Sequence, residues 1–332
     1  MNIYLSFDYE IYFGENPGSV DKCIIQPTSE LIRIAEKYNA HFNFFVDCGF
    51  LIKLDSYRKE FPELEKDYEA LTNQIKYLSD TGHDIQLHIH PHWEDSYYDG
   101  KKWVMDVSRY KLSDFQPKDI DDIVFRYKKV IADLTQKEIF AFRAGGWCMQ
   151  PFHKLAGTFK KHGITLDSTV FKNGFYVSDN YQYDFRDAPE KDVYCFENDP
   201  VKEEKSGFFT ELPIAWIRNS PLFFWRLFLL GRKNPYLHKP LGDGRAMAAK
   251  GYRKRLLTTF SNNPVSVDGY NSHLLQKALK NCIKKQWKQM VIIGHPKALS
   301  RYSLQKIEDF VRTNSRKHRF VTYTAFNKTK EI

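Results

Sequence analysis

The sequence predicts an α/β fold in which parallel strands alternate with helices. Its 332 residues are 42% apolar and 16% aromatic, which is enough to form a large buried core. Short strand-like runs are followed by longer helical patterns along most of the chain, and polar residues with catalytic potential stand where several strands end. This rhythm is typical of a parallel α/β barrel or an open parallel sheet, whose functional groups lie at the carboxyl ends of the strands.

The predicted elements follow one another in regular order. Strands are expected at 3–8, 41–47, 84–88, 139–143, 164–167, 290–293 and 320–323. Helices are expected at 27–38, 68–81, 118–134, 152–161, 272–284 and 304–313. The stretch 217–264 breaks the rhythm and is interpreted as an aromatic and basic insertion in a single domain over 1–332.

Composition excludes several classes of protein. The net charge is +9, but basic residues occur along the whole chain, and no arginine-rich or zinc-finger pattern indicates a nucleic-acid partner. An odd number of cysteines without CxxC spacing argues against a disulfide framework and a thiolate metal site. These are Cys23, Cys48, Cys148, Cys195 and Cys282. A reducing compartment fits, and the chain start lacks signal-peptide features, so a cytoplasmic location is expected.

The first candidate cluster is Asp8 and Glu10, which follow the first strand. Side chains alternate along a strand, so acids two positions apart leave it on the same side and can converge on one point. The alternative is a pair of solvated acids just beyond a strand.

The second cluster lies between Gly82 and Trp93 and holds four of the eleven histidines. Pro91 excludes a helical pair, so the segment is a strand end that turns into a loop. His88 and His90 then share a face, and His92 could rejoin them after the turn. Imidazoles at this density suit zinc, cobalt, nickel or iron, and one added carboxylate gives a site with open positions. A single histidine of this kind is more often structural, but three at alternate positions beside a strand end favour a metal site.

These two clusters resemble the first two motifs of the polysaccharide deacetylase family (NodB-like, carbohydrate esterase family 4 type). The resemblance implies a distorted (β/α)7-type barrel with helices outside. It implies Glu10, His88 and His92 as ligands of a divalent metal ion, zinc above the others. It also implies that Asp8 is the catalytic base, and it leaves His90 without an assigned role.

Three later segments resemble the remaining motifs in the expected order. In the third, Arg143 would brace the base carboxylate. In the fourth, Asp167 would orient the catalytic histidine, and in the fifth His295 would be the general acid. The chain departs from the usual pattern at Gly145 and Gly146, where proline and tyrosine are common. It departs again at Gly294, where an apolar residue is usual.

The activity that the resemblance implies is metal-assisted removal of an N-acyl group, most often acetyl, from a sugar of a polysaccharide or cell-surface glycan precursor. Two alternatives stay open. One is a deacylase or deformylase of a lipid-linked or small-molecule amide, because the pocket and not the motif sets the substrate. The other is a non-catalytic carbohydrate-binding protein on the same fold.

The segment 221–255 has two interpretations. The run Pro221 to Leu230 is too short to span a bilayer and contains Arg226, but with Lys250, Arg253 and nearby cations it could contact a membrane surface peripherally. Alternatively, it is a helix whose aromatic side chains pack on the barrel or on a dimer partner. The sequence does not determine an oligomeric state.

Overall fold

The computed structural model describes residues 1–178, 180–247 and 251–329. The strands are β1 Asn2–Tyr9, β2 Asn43–Asp47, β3 Asp84–Ile89, β4 Tyr97–Tyr98, β5 Trp103–Val104, β6 Ala141–Ala144, β7 Leu166–Asp167, β8 Phe175–Val177, β9 Gln182–Asp184, β10 Tyr194–Phe196, β11 Phe209–Glu211, β12 Trp216–Asn219, β13 Ser261–Pro264, β14 Gln289–Gly294 and β15 Arg319–Phe320. The α-helices are α1 Gln26–Tyr38, α2 Cys48–Tyr57, α3 Glu63–Asp80, α4 Pro117–Thr135, α5 His153–Lys161, α6 Pro221–Lys233, α7 Pro235–His238, α8 Tyr252–Thr258, α9 Leu275–Lys284, α10 Arg301–Asn314 and α11 Tyr323–Lys328.

The chain forms two compact units. The first unit comprises Met1–Ala40 and Ile214–Val321, and the second comprises His41–Pro213 and Thr322–Ile332. In the first unit β1 pairs in parallel with β14 and with β15. Strands β1 and β14 are buried along almost their whole length, as expected for parallel strands covered on both faces.

The second unit is built on parallel strands in the order β11, β7, β6, β3 and β2, with β10 antiparallel to β11. Every residue of β2 and β3 is buried. Helices α3 and α4 turn their apolar residues inward at helical spacing, among them Leu71, Ile75, Ile123 and Val124. The parallel strands direct their carboxyl ends to the same edge, which positions the histidines that follow β3.

The predicted alternation of strands and helices is confirmed, with differences in detail. Helix α2 was not predicted, because its apolar residues have no clear helical period. The last predicted strand, 320–323, ends at Phe320. There the Thr322 side chain accepts a hydrogen bond from the Ala325 amide and caps α11, so Tyr323 begins a helix. The assignment of 1–332 to one catalytic domain stays a prediction.

The predicted insertion begins and ends in an antiparallel strand pair. Strands β12 and β13 pair from Trp216↔Pro264 to Asn219↔Ser261, and α6, α7 and α8 lie between them. Lys250, one of the cations predicted to contact a membrane surface, lies outside the described residues. None of the helices described is long and apolar enough to cross a bilayer.

His83 is a buried histidine whose environment opposes protonation. Its Nδ1 accepts a hydrogen bond from the Phe42 amide at 3.0 Å, and the rings of His41, Phe42 and Phe44 surround it. Burial, with a smaller contribution from the charge of His41, lowers the pKa of His83 from 6.5 to about 4. The unfolded chain therefore binds this proton at a higher pH than the folded chain does.

We expect His83 to contribute stability that is complete above pH 6.5 and is lost as the pH falls towards 4. The pKa difference corresponds to about 3 kcal/mol. In His83→Asn the amide oxygen can still accept from Phe42, but the titration is removed. The fall in free energy of unfolding between these pH values, measured by urea denaturation, should shrink by about that amount. His153→Asn, at an exposed position of α5, should keep the full fall. An unchanged fall in His83→Asn would contradict the argument.

Candidate active site

In the first unit, the register of β1 and β14 brings two acids and a histidine together. Phe7 pairs with Gly294, so Asp8 and His295 leave neighbouring strand ends side by side. The Nε2 atom of His295 lies 3.6 Å from Asp8 Oδ2 and 3.8 Å from Glu10 Oε1. Both acids are buried, at 5% and 4% exposure, which excludes the interpretation as solvated surface acids.

Asp268 holds His295 from the other side of the imidazole. Its Oδ2 lies 2.8 Å from Nδ1 of His295, and its Oδ1 accepts the backbone amide of the same residue at 2.8 Å. Burial by itself lowers the pKa of His295. The negative charges of Asp268, Asp8 and Glu10 outweigh this effect and raise the pKa to about 9. His295 is therefore a protonated imidazole with a fixed orientation, which is the form that a general acid needs.

The approach of Asp268 depends on Gly294. A Cβ atom at Gly294 would lie 2.2 Å from Cγ2 of Val267, so any side chain there would push the segment away from the strand. The Val267 amide donates to the Ile293 carbonyl at 2.9 Å, which fixes the residue before Asp268 against β14. Gly294 thus leaves room for Val267, the residue before the acid that binds His295.

Lys297 brings a buried cation to Glu10. Its Nζ donates to Glu10 Oε1 at 2.8 Å and to the Ile11 carbonyl at 2.6 Å. The lysine is only 7% exposed, and its positive charge offsets the cost of burying the glutamate. The ion pair therefore fixes the orientation of the Glu10 carboxylate.

In the second unit, His88 and His90 present their Nε2 atoms to each other. His88 is in β3 and His90 follows its end, so the period of two places both rings on one face. The Nδ1–H of His88 donates to the Arg143 carbonyl at 2.8 Å, which leaves Nε2 with its lone pair. The two Nε2 atoms lie 3.1 Å apart, and both residues are 1% exposed.

His92 lies in the short 3-10 helix Pro91–Glu94 and is packed between aromatic rings. Its ring stacks on Tyr110, with centroids 5.6 Å apart and an interplanar angle of 4°, and on Trp93 at 5.3 Å. The 3-10 helix turns the chain after His90, and the His90 and His92 ring centroids are 5.5 Å apart. The neighbour that faces the His88 nitrogen is accordingly His90.

Gly145 allows His90 to approach β6. A Cβ atom at this position would lie 2.5 Å from both Nδ1 and Cε1 of His90 and 2.7 Å from the Ile89 carbonyl. This contact gives a physical reason for glycine at position 145.

Arg143 and two buried acids form a separate charge cluster in the second unit. Arg143 Nε donates to the Ser168 carbonyl at 2.7 Å, and its guanidinium lies over the Phe45 ring. Asp167 and Glu211 are register partners on β7 and β11. Burial raises the pKa of Asp167, whereas burial and the charge of Asp167 raise the pKa of Glu211 well above its usual range. Burial therefore disfavours the ionised form of both acids.

This cluster changes one assignment that the resemblance implied. The carboxylate that orients His295 is Asp268, whereas Asp167 binds Thr169 Oγ1 at 2.7 Å and pairs with Glu211. Asp268, Lys297 and Glu211 were not identified from the sequence. A signal for Asp268 existed, because it ends the alternating run Val265 to Val267 just before a glycine, as Asp8 ends its own strand.

This chain is similar in structure, though not detectably in sequence, to known proteins. The chain matches no family model, and a search of curated proteins gave no match. A protein of Mycobacterium smegmatis classed with the polysaccharide deacetylases superposes with a TM-score of 0.53 and 13% identity, over 99% of this chain and 89% of that one. The Puue allantoinase superposes with a TM-score of 0.52 and 10% identity, over 98% and 88%. The predicted NodB-type α/β-barrel fold is confirmed. At these identities the likeness shows the fold alone.

The contact between Gly145 and His90 can be tested by stability. In Gly145→Ala the new methyl group has no space, so we expect a loss of about 1–3 kcal/mol in the free energy of unfolding. Gly157→Ala is the matched control, because no atom lies within 4 Å of its Cβ position in α5, and it should gain up to about 1 kcal/mol. Urea denaturation measures both. Equal effects of the two substitutions would contradict the close approach of His90.

Proposed function

We propose that this protein is a metal-dependent hydrolase that removes an N-acyl group, acetyl in the first instance, from a sugar of a polysaccharide or glycan precursor. The observation that carries the proposal is the placement of His295 between Asp268 and the pair Asp8 and Glu10. A protonated imidazole beside a candidate base supplies both proton transfers that amide hydrolysis needs. The shared fold with a protein classed among the polysaccharide deacetylases supports this choice of reaction.

The proposed metal ligands are one carboxylate, that of Glu10, and two imidazoles, those of His88 and His90. The 3.1 Å between the His88 and His90 nitrogens supports this set, because two nitrogens on a tetrahedral zinc ion lie about 3.3 Å apart. The hydrogen bond from His88 to a backbone carbonyl is a usual second contact of a metal-binding imidazole. We therefore propose His90 in the place that the resemblance gave to His92. Zinc, cobalt, nickel and iron all suit such ligands.

In the proposed mechanism, a bound divalent cation would polarise the acyl oxygen and make water more acidic. Asp8 takes the proton of the attacking water, and Arg143 is proposed to keep the Asp8 carboxylate ionised. His295, held by Asp268, gives a proton to the leaving amine. Lys297 keeps Glu10 ionised and oriented. Each of these steps uses a side chain that is already fixed by its neighbours.

A second candidate function keeps the reaction but changes the substrate to a small-molecule or lipid-linked amide, including a formamido sugar. The likeness to Puue allantoinase favours it, since the TM-score is nearly equal to that of the deacetylase-class protein. A non-catalytic carbohydrate-binding protein is the remaining alternative. The ordered Asp268–His295 pair argues against it, because a binding protein does not need a polarised general acid.

The choice between His90 and His92 can be tested by metal content. We expect His90→Phe to abolish stoichiometric zinc or cobalt binding, because it removes a ligand nitrogen and keeps the ring volume. His92→Phe should keep the metal, because the phenyl ring preserves the stack on Tyr110. Elemental analysis and calorimetric titration measure both, and circular dichroism shows that each variant is folded. Loss of the metal in His92→Phe alone would restore the ligand set that the resemblance implied.

The reaction can be tested by release of acetate from N-acetylglucosamine oligomers, in parallel with formamido sugars and small amides. Asp8→Asn should lower kcat by about 10²–10⁴-fold, since it removes the base. Asp268→Asn should also lower kcat at unchanged KM. It should shift the alkaline limb of the pH profile to lower pH, because His295 loses the charge that raises its pKa. Asp309→Asn, exposed on α10, is the control. Bound metal with no acyl release from any of these substrates would favour the non-catalytic alternative.

A further inference from the structure

The positive charge of the chain has a definite location. Basic residues occur throughout the sequence, but residues 217–264 hold ten of the 50 Lys and Arg and only one of the 41 Asp and Glu. The formal charge of this segment therefore equals the +9 of the entire chain, and the remainder is balanced. So many positive charges in one segment repel one another. An anionic surface attracts the segment and, once bound, neutralises this repulsion.

Helix α6 exposes large apolar side chains in the same segment. Leu222, Trp225 and Leu229 are 75%, 50% and 59% exposed, and their spacing of three and four places them on one helical face. Phe224 is the buried residue of this helix. Phe260, beside the Arg218 guanidinium, is 60% exposed as well. Scattered single apolar residues need no explanation, but a row along one helix indicates a binding surface.

Three contacts anchor α6 within the first unit. Phe223 stacks on Tyr270 with ring centroids 5.4 Å apart. The indole Nε1 of Trp225 donates to the Leu257 carbonyl of α8 at 3.1 Å, and the Arg253 guanidinium of α8 lies over the Phe228 ring. The apolar row and the exposed cations Arg253, Lys254 and Arg255 consequently belong to one packed pair of helices. We call this pair the basic-aromatic surface.

We propose that the basic-aromatic surface docks on an anionic membrane. Leucine and tryptophan side chains can enter the boundary between headgroups and acyl chains while arginine and lysine bind lipid phosphates. Helix α6 has 13 residues and is about 20 Å long, so it lies in the plane of the interface and does not cross it. Nucleic acid would satisfy the cations but would leave the leucines in water, which is why a lipid surface is the occupant that both features favour.

The docking surface is connected to the proposed catalytic groups. The ring of Tyr270 stacks on Phe223 of α6. Tyr270 lies two residues after Asp268, the acid that binds His295. The Phe223–Tyr270 stack therefore places α6 close to the loop that carries Asp268. Resting on the proposed function, this placement favours a lipid-linked sugar as the substrate class.

The test is flotation of the full chain with vesicles of phosphatidylcholine alone and with vesicles that also contain phosphatidylglycerol. We expect binding to the anionic vesicles that weakens when salt is raised. The charge variant Arg253→Gln/Lys254→Gln/Arg255→Gln should lose about fivefold in partition for each cation removed. The apolar variant Leu222→Ser/Leu229→Ser should bind weakly and become fully displaceable by salt. Trp225 stays in place in both variants, so its bond to α8 is kept.

Two control variants use exposed positions of the amphipathic helix α9. Lys277→Gln/Lys280→Gln/Lys284→Gln removes the same number of charges, and Ile283→Ser removes an apolar side chain that is 49% exposed. Both should bind vesicles as the unaltered chain does. All four variants should keep acyl release from a soluble saccharide, so a failure of docking is distinguishable from a failure of the proposed reaction. Absence of the unaltered chain from the anionic vesicles would overturn the proposal. So would equal binding by the charge and control variants, or a dimer in solution that only the α6 variant disrupts.

Discussion

The parallel pairing of β1 with β14 is the constraint on which the arrangement of reactive groups in the first unit depends. Because the two strands run in the same direction and pair Phe7 with Gly294, their ends deliver Asp8 and His295 to the same point. No contact between these side chains is needed to hold them there, since the strand hydrogen bonds do so. The same ladder also carries Asp268, because the segment before it bonds to the Ile293 carbonyl. One register thus fixes a candidate base, an acid and the partner of that acid.

Burial makes every charge at these positions costly, and each unit compensates differently. In the first unit, Lys297 is paired with Glu10 at 2.8 Å, so removal of either partner would leave an uncompensated buried charge at a cost of about 3–5 kcal/mol. In the second unit, the charge of Arg143 lowers the pKa of Asp167 and of Glu211, but burial outweighs it and raises both. A raised pKa favours the neutral form of each acid, which reduces the buried charge that a cation would otherwise have to offset.

The sequence predicted most of the fold and part of the site, for reasons that are local. Strand alternation and helical periodicity are short-range properties, and Asp8, Glu10 and His88 were found because they stand at strand ends. Asp268 was missed because its approach to His295 depends on the absent side chain of Gly294, a contact that no local pattern encodes. Asp268 and His295 are also 27 positions apart in the sequence. A glycine immediately before a candidate catalytic histidine is one clue in the sequence, and the alternating run that ends at Asp268 is another.

In the histidine segment, the motif spacing and the local geometry favour different ligand sets. In an extended strand, residues two apart share a face, and β3 keeps this period through His88 and His90. Pro91 then begins a 3-10 turn that moves the next alternate residue, His92, into a stack on Tyr110. A ligand at a spacing of four requires that the chain return to the strand face after the turn. Here the Nε2 atoms of His88 and His90 already face each other, and Gly145 leaves room for that arrangement. The backbone path after the strand therefore favours a spacing of two.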